Sequence, residues 1–211
     1  MADPDLPPTG FLAVPETTPA VQSLYDDDLE GDGYVMNLTK VWTHQPENAN
    51  ALFDLIGTSV APARLTFRQR GVLVTACAST LGDAYCSLAW GARLAGEVGP
   101  AVTASVLGGD DGPLDEGDRA LAAWARKVAD DPNGTTAADV QSLRDAGFDD
   151  DQIFAITFFV ALRLAFSTVN DALGARPDTE LAQAAPPEVL GAVSYGRPPT
   201  DVTLSNVAGA T

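Results

Sequence analysis

The sequence is short of the residues from which metal centres and nucleic-acid surfaces are built. Its 211 residues hold two cysteines, Cys77 and Cys86, and one histidine, His44. That set cannot furnish the common zinc sites, which draw on several Cys and His ligands, nor a disulfide framework. A single Cys77–Cys86 bridge is conceivable, but a reducing compartment disfavours it. Lysine is scarce: Lys40 and Lys127 are the two among 12 basic residues, set against 29 acidic ones for a net charge of −17. Such a surface repels phosphate backbones and anionic lipid, so neither nucleic acid nor a membrane is expected as a partner. It also suits a salty cytoplasm, where charges are screened. No apolar run reaches the length of a membrane span without a charge or a breaker. The opening MADPDLPPTGF lacks the basic and apolar regions of a signal peptide, and the expected location is the cytoplasm. No metal and no cofactor is expected. Strand-like alternation of polar and apolar residues is missing as well, which leaves an all-α fold class.

What is present is enough for one full core: 45% of the residues are hydrophobic. Residues 1–17 are proline-rich and read as an extended arm. A short helix over 19–25 follows, with Thr18 as N-cap and Pro19 at its first position, then an acidic turn over 26–33. Helices are expected over 35–42 and 47–60, the second with Leu52, Phe53, Leu55 and Ile56 inward. Thr66 caps a long helix over 67–81; Gly82-Asp83 breaks it, and another runs over 84–97 to Gly99-Pro100. A short helix over 101–107 precedes an amphipathic one over 115–130, with Leu121, Trp124, Ala125 and Val128 inward. Thr136 and Asp139 form a capping-box pattern for a helix that ends at Gly147, a C-cap glycine. Asp149 caps the last long helix, 150–173, almost wholly apolar through 153–166 and so buried in the core or in an oligomer interface. Residues 175–211 read as an irregular tail packed on the body or on a neighbour, which leaves a single helical domain over 18–174.

Residues 71–91, GVLVTACASTLGDAYCSLAWG, combine the most apolar helix pair with both cysteines. Four pieces of the chain, in order, carry a resemblance: 33–38 (GYVMNL) with 44–47 (HQPE); 66–91; 118–127 (DRALAAWARK); and 139–149 (DVQSLRDAGFD) with the apolar helix after it. Together, over about residues 14–176, they resemble the alkylhydroperoxidase D / carboxymuconolactone decarboxylase superfamily, most closely its peroxidase-related branch. The resemblance implies an alkylhydroperoxidase D-like helical fold, assembled as a homo-oligomer (dimer, trimer or hexamer). It also implies an ancestry in thiol-based antioxidant peroxidases.

The family's site is a Glu, a Cys-x-x-Cys pair twelve residues on, and a His four residues after the second Cys. Cysteines three apart share the first helical turn, where backbone N–H groups favour a thiolate. Glu and His relay protons, and the first thiol resolves the sulfenate formed on the second. Carried over by position, the Glu is Gly71, the first Cys is Asp83, the second Cys is Cys86 and the His is Trp90. Gln69 and Arg70 flank the Glu position, but neither can act as a general base. The candidate catalytic residues are therefore Cys86 and Asp83, and the candidate pocket residues are Gly71, Tyr85 and Trp90. Cys86 is either a reactive thiol at a helix start or an inert buried cysteine, its pKa raised by Asp83 one turn away. Asp83 is either an N-cap or a catalytic carboxylate. Trp90 either fills the volume of the missing imidazole or walls a site for a flat ligand. Cys77 reads as core and His44 as a surface histidine. Two functions stand side by side: an enzyme with redox chemistry at Cys86, and a non-catalytic oligomer that binds a small, unidentified ligand or serves as a scaffold. Loss of the Glu, the first Cys and the His removes the expected lipoyl- or thioredoxin-dependent peroxide reduction.

Overall fold

A computed structural model of the chain describes residues 10–200. The described residues form eleven α-helices and one 3-10 turn, with no strand among them. The helix over residues 67–81, α4 (Phe67–Leu81), is the centre. Eight consecutive residues of it, 71–78, are buried, because α5 (Ala84–Val98), α7 (Glu116–Asp130) and α9 (Asp150–Ala172) pack around it. A helix apolar on every side is stable only in such a place. Leu73, Val72 and Ala76 have no exposed surface, and each buried Leu or Val contributes about 1.5–3 kcal/mol relative to an exposed one.

The boundaries of α4 and α5 follow from their caps. Thr66 accepts the Gln69 N–H at 3.2 Å, and Gln69 Oε1 accepts the Thr66 N–H at 3.0 Å, a reciprocal capping box. Gly82 closes α4 at φ 73°, a left-handed position that glycine takes without a Cβ penalty. Thr136 with Asp139 and Asp149 with Gln152 repeat the box for α8 (Ala137–Asp145) and for α9.

Several expectations need correction. The acidic stretch 26–33 is not a turn throughout: α1 runs Pro19–Gly31. The helix holds because the Asp28 carboxylate accepts the Met36 N–H at 2.8 Å, which ties its last turn to the start of α2 (Asn37–Trp42). In α3 (Pro46–Ala63) the inward stripe is Ala49, Leu52, Ile56, Val60 and Ala63; Phe53 and Leu55 are 43% and 47% exposed. Position 55 is rotated off the face formed by 49, 52, 56, 60 and 63, whereas Phe53 stands at the edge of that face, 5.4 Å from Phe166 by ring centroids, where it borders an open cleft. By length and composition α9 is apolar enough to cross a membrane, although it carries Arg163. Here it packs against α3, α4 and α7 as a core helix.

Residues 175–200 are not irregular throughout. They contain α10 (Thr179–Ala184) and α11 (Pro187–Ala192). Fully buried Val189 on α11 joins Leu88, Ala95 and Leu107 of α5 and α6 (Pro100–Leu107) in a second small apolar cluster. That cluster holds the segment as helix: short helices are marginal in water without tertiary packing. Of the arm, residues 10–17 carry no helix, and the rest of the arm and the end of the tail lie outside the described residues.

Candidate functional site

The start of α5 is built by Asp83. Its Oδ1 accepts the Cys86 N–H at 2.9 Å, the side-chain cap that lets the helix begin at Ala84. Asp83 has no exposed surface, and its Oδ2 finds no hydrogen-bond partner among the described residues. The same turn brings the Cys86 sulfur inward, 2% exposed, onto one face of α9. There Arg163 donates through Nη2 to Sγ at 3.4 Å, and Ser167, one turn further along α9, donates through its hydroxyl at 3.7 Å. Burial and then the Asp83 carboxylate push the Cys86 thiol well above its ordinary pKa, with Arg163 pulling the other way. The sulfur therefore sits between a cation that favours thiolate and a setting that opposes it, and the setting wins.

Arg163 is itself 6% exposed, with Nε–H unpartnered. Its guanidinium carbon lies 5.6 Å from the Trp90 ring centroid and 5.0 Å from that of Phe166. Trp90 also sits 6.0 Å from Phe67 by centroids. Tyr85 points its hydroxyl at Asp178, which also accepts the Asn37 N–H at 2.9 Å. Burial raises the Asp178 carboxyl to about 6 against the pull of those two donors.

Tyr85, Cys86, Trp90 and Arg163 open on one cleft of about 740 Å³, walled also by Trp42, Phe53 and Phe67. Gly71 does not line it. A methyl placed on Gly71 would lie 3.2 Å from Leu94 Cδ1, so this glycine lets α4 and α5 approach each other. His44 is exposed and away from the cleft. Cys77 is buried in the core, its thiol pushed up to about 12 chiefly by burial, and both cysteines are free. Among the described residues no group of three or more His, Cys, Asp or Glu forms a metal site.

The tail closes the other side of the α5 start. Gly196, at φ 68°, lies so close that a methyl on it would be 2.5 Å from the Gly82 carbonyl oxygen. Tyr195 donates to Ser87 Oγ at 3.0 Å, and Arg197 donates to the Asp171 carbonyl at 2.8 Å. Burial first and Asp83 second raise the Asp171 carboxyl to about 7. Its ordinary value is 3.8, so the folded chain binds this proton more tightly than the unfolded one. Stability is then gained as pH falls through about 7 toward the unfolded value and lost as pH rises again. In urea melts between about pH 8 and pH 5, Asp171→Asn should flatten this slope relative to the wild type. Equal slopes would mean that Asp171 titrates as an exposed carboxyl.

Arg163, Ser167 and Asp178 were not among the residues picked from sequence. A lone arginine inside the apolar run 153–166 was the available signal, since a charge there is rarely buried without a purpose. Ser167 and Asp178 carried none.

No family model and no curated protein matches the chain. Solved structures do. One is the alkylhydroperoxidase AhpD core, an uncharacterized peroxidase-related protein from Ralstonia eutropha JMP134: 24% identity, TM-score 0.72, over 83% of this chain and 96% of that one. Another is an uncharacterized peroxidase-related protein from Silicibacter sp. TM1040: 22% identity, TM-score 0.73, over 84% and 96%. The chain thus has the all-α, alkylhydroperoxidase D-like fold of these peroxidase-related proteins.

Proposed function

We propose that the protein belongs to the peroxidase-related branch of the alkylhydroperoxidase D / carboxymuconolactone decarboxylase superfamily and uses the old peroxidase cleft to bind a small molecule. It does not run the thiol relay. The observation that carries this reading is the setting of the Cys86 sulfur. It is buried against Arg163 and Ser167, its pKa is raised, and neither Cys77 nor His44 lines its cleft. A slow thiol without a resolving thiol or an imidazole in its cleft lacks the partners by which the relay forms and resolves a sulfenate. The cleft beside it, walled by aromatic rings, has the size and lining of a ligand site.

One observation favours a second reading. Two donors aimed at one sulfur would also stabilise a thiolate, as a single-cysteine enzyme needs. Purified protein should show negligible turnover of cumene hydroperoxide, and Cys86 should alkylate slowly with iodoacetamide at neutral pH. A turnover abolished by Cys86→Ser, or a thiol pKa below about 7, would decide for the enzyme.

We also propose a homo-oligomer. Phe154 and Phe158, 74% and 39% exposed and stacked at 6.4 Å, give α9 an outward apolar face suited to a second copy. A single-chain mass by light scattering would remove this part of the proposal.

A further inference from the structure

The two ends of the cleft differ in charge. At the inner end, Arg163 is buried, has an Nε–H without a partner among the described residues, and forms no ion pair with any described carboxylate. Trp90 and Phe166 offer it only the weak negative faces of their rings. A guanidinium held out of water with no carboxylate in ion-pair contact is costly, since Asp83 reaches it only across the Cys86 sulfur, and an anion that enters the cleft beside the guanidinium reduces that cost. The raised thiol of Cys86 does not supply this charge.

The outer end is acidic. Asp27 and Asp28 of α1 and Asp54 of α3 line the cleft, and none of the three pairs with a described cation. Asp28 is engaged by the Met36 N–H, whereas Asp27 and Asp54 are exposed to whatever enters. The one ion pair at this end joins Asp32 to Arg93 at 3.6 Å. Between the ends stand Phe53, Phe67 and Trp90. A dianion is repelled at the entrance, and a plain amine leaves Arg163 unpaired. A molecule with both charges, separated by an apolar body, satisfies each end.

We infer that the cleft takes a small amphoteric ligand: a flat apolar body whose carboxylate docks on Arg163 and whose ammonium group faces Asp27 and Asp54. The inference rests on the reading of the cleft as a small-molecule site. The carboxylate lies against the Arg163 guanidinium where it lines the cleft, the body lies against the aromatic walls, and the negative field of the entrance draws the ammonium end.

The test is calorimetric titration of the full chain with three probes: 4-(aminomethyl)benzoate, 4-methylbenzoate and benzylamine. The first should bind tightest. In the double variant Asp27→Asn/Asp54→Asn its affinity should fall about tenfold, as expected for partly exposed charge pairs, while that of 4-methylbenzoate stays or rises. If 4-methylbenzoate binds the wild type as tightly as 4-(aminomethyl)benzoate, the ammonium end is overturned and the small-molecule reading survives. If benzylamine does, the carboxylate end is overturned. If none of the three binds, the small-molecule reading falls with the inference.

Discussion

Gly71→Glu, which places a glutamate where the resemblance to the alkylhydroperoxidase D superfamily expects one, is expected to destabilise the protein by at least about 3 kcal/mol, read as a lowered urea midpoint at unchanged slope. Gly71 is buried in the wall between α4 and α5, where even a Cβ would stand 3.2 Å from Leu94 Cδ1 and 3.4 Å from Leu94 Cβ. A glutamate has to push Leu94 aside, and overpacking of this kind costs about 1–3 kcal/mol. It also has to leave its carboxylate in an apolar layer, which costs several kcal/mol more unless it takes up a proton. Gly71→Ala is the control. It asks Leu94 to yield by a few tenths of an ångström, and it gains about 0.5–1 kcal/mol from the helix preference of alanine. Its net effect should be small. If Gly71→Glu came within about 1 kcal/mol of the wild type, there would be room for a glutamate at this position after all. As built, the packing of Leu94 against Gly71 leaves no room for a larger side chain at this position.

Asp178→Ala should cost about 3 kcal/mol, because it removes the acceptor of two buried donors, the Tyr85 hydroxyl and the Asn37 N–H. Each orphaned group costs about 1–3 kcal/mol. Tyr85 is 1% exposed, so its hydroxyl depends on this partner. Tyr85→Phe removes donor and demand together and should cost less. In the Asp178→Ala background, Tyr85→Phe should recover part of the loss, and a double-mutant cycle measures that coupling. Additive losses would show that the two side chains do not share a bond. Tyr85 also walls the cleft, so its partner in the tail helps set the shape of that cleft.

Most of this fold could be read from the chain because its helix ends are written in side chains. Thr66, Gly82 and Asp83 mark the α4–α5 break by local chemistry alone, and Thr136 and Asp149 mark two more starts. Where an end depends on a distant partner, the reading fell short. The last turn of α1 is held by Met36, and α10 and α11 are held by α5 and α6. The site divides in the same way. Asp83 and Cys86 are three residues apart, and their geometry follows from one helical turn. Arg163 meets Cys86 across 77 residues, and Asp178 meets Tyr85 across 93. No periodicity encodes such meetings. They depend on how α9 and the tail dock.

The crossing of the tail over the start of α5 sets an order of assembly. Ser87 meets its Tyr195 partner 108 residues later in the chain, and Gly82 and Ala84 are covered by Gly196. A ribosome makes the chain from its N-terminus, so α4, α5 and α9 exist before anything can cover that turn. During synthesis this side of the α5 start stays uncovered until Tyr195 and Gly196 have emerged. Contacts between residues so far apart in sequence also form slowly in refolding, since a long loop must close first. The turn before the Cys86 thiol is thus completed late, and a newly made chain passes through a stage in which that turn is less well shielded than it will be again.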